Sequence, residues 1–381
     1  MAVTHFTNHI LQPISGQQRL KPPLQNRIIP DDNTTQIRQN LVVKHSLKSS
    51  KVEQSFKKSE VDVQRLVDFL YEDLPHVFDD HGLDWTAYEK DIKFQDPITK
   101  HDNINGYLFY ISLLKLLFSA NLQIHWIKQT GDYEITARWT TEMRYYGLPW
   151  KPLLVVTGTS VLGINPENGK FCSHMDYWDS VKNNDYLSFE SLVDIMKQMC
   201  SYKTPELVTP EYQTLKRTTA YEVRNYSPFI VVETQNNKLA GSTGYNNEAG
   251  YIYGEHLRKE KIPMTIPVFT QSFDPGNFRI SIQIVHSSKR NLNGLQDSMN
   301  RKNITSRRSF QEGFAAVLEF GGKPTEDIVR EKENLLRASI LSEGLKPKDG
   351  CLLACYYDPD KTNLFMMINE VLIWLEEFVL D

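Results

Sequence analysis

The chain has 381 residues, of which 40% are hydrophobic and 24% charged, with a net charge of −4. That length exceeds one ordinary core and predicts about two domains. The slight acidity lacks the concentrated Lys/Arg excess of a phosphate binder, so no nucleic-acid partner is expected.

Residues 1–55 carry Arg19, Lys21, Arg27, Arg38, Lys44, Lys48 and Lys51 against only Asp31, Asp32 and Glu53, and are rich in Gln, Asn, Thr and Pro. Such a stretch buries too little apolar surface to offset its chain entropy. It is expected to be a disordered leader, and its basic, acid-poor character is that of an organelle transit peptide. No segment reaches the roughly 18 to 20 apolar residues of a bilayer span. The longest apolar run, Tyr107 to Ala120, contains Lys115 and predicts a buried or amphipathic helix, so the chain is expected not to be transmembrane.

Order is expected from residue 58. Apolar residues at helical spacing from Val61 to Leu70 predict a helix, Tyr88 to Phe94 a strand, and residues 103–120 a second helix. Leu122 to Ile127, Tyr133 to Tyr145 and Leu153 to Leu162 are rich in Thr, Val, Ile, Trp and Tyr and predict strands. Asn165-Pro166-Glu167-Asn168-Gly169 is a hairpin turn leading into a strand from Phe171 to Trp178. Residues 185–200 read as helical. Residues 201–212, with Pro205 and Pro210, read as a linker.

Beyond it, strands are expected at Tyr221–Arg224, Phe229–Glu233, Pro267–Gln271, Phe278–His286, Phe314–Phe320, Leu352–Tyr357 and Asn369–Leu375. Helices are expected at Ala249–Leu257 and Lys323–Leu341. Residues 287–309 read as a long irregular loop. The strand–helix–strand order occurs twice, which suggests a pseudo-repeat closing into a barrel-like sheet.

Two resemblances follow from these stretches. Asp91-Ile92-Lys93-Phe94-Gln95-Asp96-Pro97, Leu148-Pro149-Trp150-Lys151-Pro152 and Gly169-Lys170-Phe171-Cys172-Ser173-His174 make residues 58–200 look like a plant and cyanobacterial domain of unknown function with an NTF2-like cone fold. From about Thr214 onward, the chain resembles the SOUL haem-binding family. The matching residues are Tyr221-Glu222-Val223-Arg224, Tyr226-Ser227-Pro228, Gly250-Tyr251-Ile252-Tyr253-Gly254, Lys261-Ile262-Pro263-Met264-Thr265-Ile266-Pro267-Val268, Phe320-Gly321-Gly322, Leu345-Lys346-Pro347 and Asn369-Glu370-Val371. It departs from that family's pattern at Glu248, Cys355, Tyr357 and Ile368. The fold expected is therefore α+β: an NTF2-like cone over 58–200, then a SOUL-type barrel of antiparallel strands with two flanking helices over 213–381.

The resemblance implies non-covalent haem, or another tetrapyrrole, in an apolar groove beside the first helix of the second domain. A flat ring with two propionates needs apolar walls and cationic rim groups. Tyr245, Ala249, Ile252 and Tyr253 are the candidate wall. Met264, Met366 and Met367 are candidate soft contacts. Lys238, Arg258 or Lys259 are candidate propionate partners, and His256 and His286 the candidate axial ligands. No His/Cys set at fixed spacing predicts a metal site. Cys172, Cys200, Cys351 and Cys355 read as free thiols.

In the cone, Asp96, His101, His125, Arg138, His174 and Asp176 are the polar candidates. His174, Asp176 and Trp178 alternate and should share one strand face. No nucleophile–base–orienter set marks a catalytic site. The reading is a plastid carrier for haem, soluble or peripherally attached to lipid bodies, handing its ligand to a haem-handling enzyme, with the cone as a candidate homodimer or docking surface. The alternatives are a tetrapyrrole-metabolising enzyme of the metal-dechelatase kind, or a scaffold without haem binding.

Overall fold

In the computed structural model the described residues are 61–201, 207–236, 265–274, 277–283, 306–356 and 367–380. The leader over 1–55 and the expected helix at Ala249–Leu257 lie outside them. Among the described residues no helix is long and apolar enough to cross a membrane.

Helix α1 (Val63–Asp73) starts where the Asp62 side chain accepts from Arg65 N at 3.1 Å, satisfying one of the orphan donors of a first turn. Its Val63, Val67 and Leu70 share one face and are buried, each contributing about 1.5–3 kcal/mol. Strands β1 (Tyr88–Gln95) and β2 (Lys100–His101) lead into α2 (Ile104–Leu117), capped by Asn103 onto Gly106 N at 2.9 Å. The helix expected to reach residue 120 stops earlier, because Phe118 is already extended and opens β3 (Phe118–Gly131). Strands β4 (Glu134–Tyr145), β5 (Leu153–Ile164) and β6 (Phe171–Trp178) and helix α3 (Phe189–Cys200) follow.

The strand order is β2-β1-β6-β5-β4-β3. All neighbours are antiparallel except β1 and β6, which run parallel. Helices α1 and α2 pack against β3 and β1, over a core that includes Leu70, Ile92, Ile135, Leu162 and Phe171. The sheet is most crowded at Gly158. A Cβ there would sit 2.3 Å from Tyr177 O and 3.1 Å from Trp139 Cζ2, so no larger residue fits without a shift.

The second sheet holds β7 (Tyr212–Arg217), β8 (Glu222–Tyr226), β9 (Phe229–Asn236), β10 (Val268–Asp274), β11 (Asn277–Gln283), β12 (Ser306–Phe310), β13 (Gly313–Gly321), β14 (Leu352–Cys355) and β15 (Ile368–Trp374). Its order is β12-β9-β11-β10-β14-β15-β13-β8-β7. Helix α4 (Glu326–Ser342) is capped by Thr325. It ends at Gly344, whose φ of +76° lets Leu345 N turn back to Ile340 O at 3.1 Å. Its Leu336 and Ile340 pack on Val223, Ala316, Val371 and Ile373 across one face of the sheet.

The other face is aromatic. Phe310 on β12 and Trp374 on β15 lie five strands apart in that order, which in a flat sheet means about 24 Å. Their rings are 5.8 Å apart. The sheet is therefore curled strongly on itself. It is not a closed barrel: among the described residues the ladder ends at β12 and β7, which do not pair. Two further strands differ from expectation. β12 falls inside the stretch read as irregular loop, and β7 starts in the stretch read as linker. Both are edge strands, where charged and polar side chains are tolerated.

Residues 57–381 form one unit in which β7 lies against β4 and β5. Thr140 Oγ1 donates to Thr214 O at 2.7 Å, and Arg217 N donates to Thr157 Oγ1 at 2.8 Å. Arg138 holds Asp179 through both guanidinium nitrogens and reaches Leu215 O at 3.2 Å. Arg217 grips Asp194 on α3 at 2.7 and 3.0 Å.

His125 sits at this junction, its Nε2 2.8 Å from Thr140 Oγ1. Burial, and then the charge of Arg138, lowers its pKa from 6.5 to about 4. The unfolded chain takes a proton near pH 6.5 and the folded chain only near pH 4. This group's share of stability is thus full above pH 6.5 and is lost as pH falls toward 4. For a partly exposed ring the loss is discounted to about 1–2 kcal/mol. His125→Gln is expected to flatten the fall in urea midpoint on acidification by that amount. An unchanged acid slope in the variant would assign the proton uptake elsewhere.

Candidate functional site

A pocket of about 100 Å³, partly open to solvent, lies between the first sheet and helix α2. Leu74, Val77 and Phe78 line it from the segment after α1, Tyr107, Tyr110, Ile111 and Leu114 from α2, and Trp139, Thr141 and Met143 from β4. Its polar end is made by Asp96 at the close of β1, Ser160 on β5, and His174 and Asp176 on β6. The alternation read on β6 is what the structure shows: His174, Asp176 and Trp178 all face this cavity.

Asp96 Oδ1 accepts from Ile98 N at 2.7 Å and Thr99 N at 2.5 Å, an Asx turn that Pro97 favours. Its Oδ2 accepts from Tyr110 Oη at 2.8 Å. Burial first, and then the charge of Asp176, pushes the Asp96 carboxyl above its ordinary range. Tyr107 Oη lies 3.0 Å from His174 Nδ1. Burial pushes that phenol's pKa up, and which of the two groups donates follows the imidazole's tautomer.

Nε2 lies 3.0 Å from Asp176 Oδ1, but the pair lacks hydrogen-bond alignment and Nε2 has no other partner. Asp176 Oδ1 instead accepts from Ser160 Oγ at 2.5 Å, and Ser160 in turn accepts from Trp139 Nε1 at 2.8 Å. Ser160 therefore serves the carboxylate rather than the imidazole, and the group is no Ser-His-Asp relay. What it offers is a hydrogen-bonding, acidic end to an apolar chamber.

The other polar candidates of this half lie elsewhere. Arg138 and His125 face the junction with the second sheet. His101 stacks on Phe94 at 6.2 Å. Tyr107, Tyr110 and Ser160 join the site as well. Tyr107 and Tyr110 come from a helix remote in sequence from His174, and no spacing rule links them, whereas Ser160 is the partner of Asp176 across the β5–β6 hairpin.

In the second half, Tyr245, Ala249, Ile252, Tyr253, Met264 and Met366 lie outside the described residues, as do Lys238, Arg258, Lys259, His256, His286, Glu248 and Tyr357. Met367 is packed in the core with Phe320, Leu336 and Val371, and is 6% exposed. It therefore offers little surface to a ligand. Cys355 and Ile368 are core residues too. The described residues of this half line a second pocket of about 310 Å³. Phe310, Trp374 and Leu352 form its apolar side, and exposed Arg308 and Lys348 stand at its edge. Glu312 and Asp349 line it as well, so the lining is mixed in charge. Among the described residues no cluster of His, Cys, Asp and Glu could hold a metal ion, and all four cysteines are free thiols.

Residues 64–174 match the family model described as Uncharacterized conserved protein (DUF2358), and residues 207–374 that described as SOUL heme-binding protein. No curated protein matches the chain. Similar solved structures include a putative polyketide cyclase from Xanthomonas campestris pv. campestris, 13% identical, covering 35% of this chain and 96% of its own, with a TM-score of 0.27. An NTF2-like protein from Anabaena variabilis is 10% identical, with coverages of 32% and 92% and a TM-score of 0.26. A hydrolase from Listeria innocua is 11% identical, with coverages of 41% and 92% and a TM-score of 0.30. With both halves matched, the chain carries a DUF2358 region followed by a SOUL domain.

Proposed function

We propose that residues 207–374 bind haem or a related tetrapyrrole non-covalently and that the protein is a carrier for it rather than an enzyme. The observation that carries the reading is the family match over nearly the whole second sheet. Tyr245, Ala249, Ile252, Tyr253, Met264 and Met366 are the proposed wall. Haem supplies its own absorbance and redox chemistry; the chain supplies apolar surface and rim charge. The composition of the leader fits an organelle address, the resemblance of the first domain to a plant and cyanobacterial one favours the plastid, and a haem-handling enzyme there is the proposed recipient.

The test is a titration of the full chain with haem, following the Soret band. A saturable shift at micromolar haem is expected. Its absence sinks the carrier reading and leaves the scaffold. Release of metal-free porphyrin during the incubation would make the protein a dechelatase instead. The double substitution Ile252→Asp with Tyr253→Asp should weaken binding about tenfold or more, while Lys348→Glu should leave it unchanged. The reverse pattern would move the ligand to the pocket beside Phe310 and Trp374.

A further inference from the structure

Helix α2 is apolar on two sides. Ile104, Tyr107 and Ile111 face inward and are buried. Phe109, Leu113 and Leu116, at i, i+4 and i+7, share the opposite side. Phe109 is 68% exposed and Leu116 81%, with Leu113 and Leu117 exposed beside them. Helix α1 shows the ordinary pattern instead, for Gln64, Arg65, Asp68 and Glu72 are what it turns to solvent. A helix that is hydrophobic all round is normally buried all round. The outer stripe of α2 amounts to on the order of 400 Å² of apolar surface, a size that on a monomer often serves a function.

Charge selects the occupant. Lys115 is the one charged residue of α2, and its Nζ is drawn aside onto Asp79 O. A helix that lies on an anionic lipid surface carries Lys and Arg along its flanks. Here Asp79, Asp80 and Asp102 stand exposed near the two ends of α2, against Lys100 and Lys115. An uncharged stripe does meet its own image without like-charge repulsion, which a two-fold interface requires. The area fits as well. A standard interface takes about 800 Å² from each partner, a little over half of it non-polar. The stripe can supply the apolar part, and exposed polar neighbours such as Asn105 and Ser112 part of the rest. The outer face of the first sheet is already taken by β7, which lies against β4 and β5.

We propose that two copies of the chain associate through α2, the stripe of one crossing the stripe of the other about a two-fold axis near Leu113. Residues equally far on either side of the axis then meet, Phe109 of one copy against Leu117 of the other. Tetrapyrrole binding plays no part in this contact.

Sedimentation velocity of the full chain over about 1 to 100 µM is the measurement, and a shift from monomer to dimer is expected within that range. Phe109→Glu with Leu116→Glu puts four carboxylates into the paired interface. It should weaken association about a hundredfold or more and leave monomer throughout. Both side chains face solvent, so the variant should keep the parent's circular dichroism and urea midpoint. Met196→Glu, on the exposed side of α3, should leave the dimer intact. In a Cys200→Ser background, Leu113→Cys should cross-link two chains on oxidation, while Leu341→Cys on exposed α4 should not. Monomer at every concentration overturns the proposal. If the parent then floats with phosphatidylglycerol vesicles and the α2 variant does not, the stripe is a lipid-docking face instead. A dimer lost with Met196→Glu but kept in the α2 variant also overturns it, placing the contact on α3. A failed haem titration does not touch any of these results.

Discussion

Arg224→Met is expected to lower the unfolding free energy by about 3–5 kcal/mol, the usual cost of leaving one partner of a buried ion pair alone. Arg224 and Glu370 are each 1% exposed and joined by two bonds of 2.9 and 2.8 Å. Arg224 also reaches Glu222 at 2.8 Å and stacks over the Tyr212 ring at 4.3 Å. Burial works against its charge, but the neighbouring acids, Glu370 foremost, outweigh that and hold it fully protonated. Tyr356 donates to Glu370 at 2.7 Å from the other side.

Removing the arginine leaves a carboxylate inside the curled sheet without its charge partner, the Tyr356 phenol still donating to it. The double variant Arg224→Met with Glu370→Leu should regain most of the loss, because neither charge is then buried. Urea denaturation of the two variants and the parent decides this. A single-variant loss below about 1 kcal/mol would mean that water reaches the pair.

Asp179→Ala should cost about 3 kcal/mol and also change the form of the transition. Arg138 is 4% exposed and spans the junction, taking Asp179 on one side and Leu215 O on the other. Thr157 donates to the same carboxylate while accepting from Arg217 N. Without Asp179 the guanidinium is buried with a single carbonyl, and Thr157 loses one of its two ties. The first sheet should then melt separately from the second, giving two calorimetric transitions where the parent gives one. One cooperative transition at nearly the parent's temperature would show that the junction is held by apolar packing instead.

Much of this architecture can be read from residue order, because most elements announce themselves locally. α1 and α4 carry Asp or Thr caps and periodic apolar faces, and β6 alternates cleanly through His174, Asp176 and Trp178. The change from α2 to β3 is hidden, because Leu116, Leu117 and Phe118 continue one apolar run with no Gly or Pro to break it. β12 is hidden because Ser306, Arg307, Arg308 and Ser309 look like loop, and only pairing with β9 makes them a strand.

The acidic end of the cavity is half legible. Its β6 members lie two residues apart and Ser160 faces Asp176 across the β5–β6 hairpin, whereas Tyr107 and Tyr110 arrive only through the packing of α2. Arg138 and His125 do not join the polar group expected of them. Arg138 adjoins Trp139, and neighbouring residues on a strand must point opposite ways. Once Trp139 lines the cavity, Arg138 cannot.

The same parity constrains how the gene can change. β4 gives Trp139, Thr141 and Met143 to one chamber and Arg138 and Thr140 to the junction behind it. Inserting or deleting one residue near Ala137 would exchange the two sets on one side of the lesion, driving a guanidinium into the hydrocarbon and an indole into the seam. Both ends of the molecule would fail together. Length changes are therefore tolerated only in the turns that bound this strand, at Asp132–Tyr133 and Tyr146–Pro152, so β4 works as a ruler to which both the chamber and the seam are set.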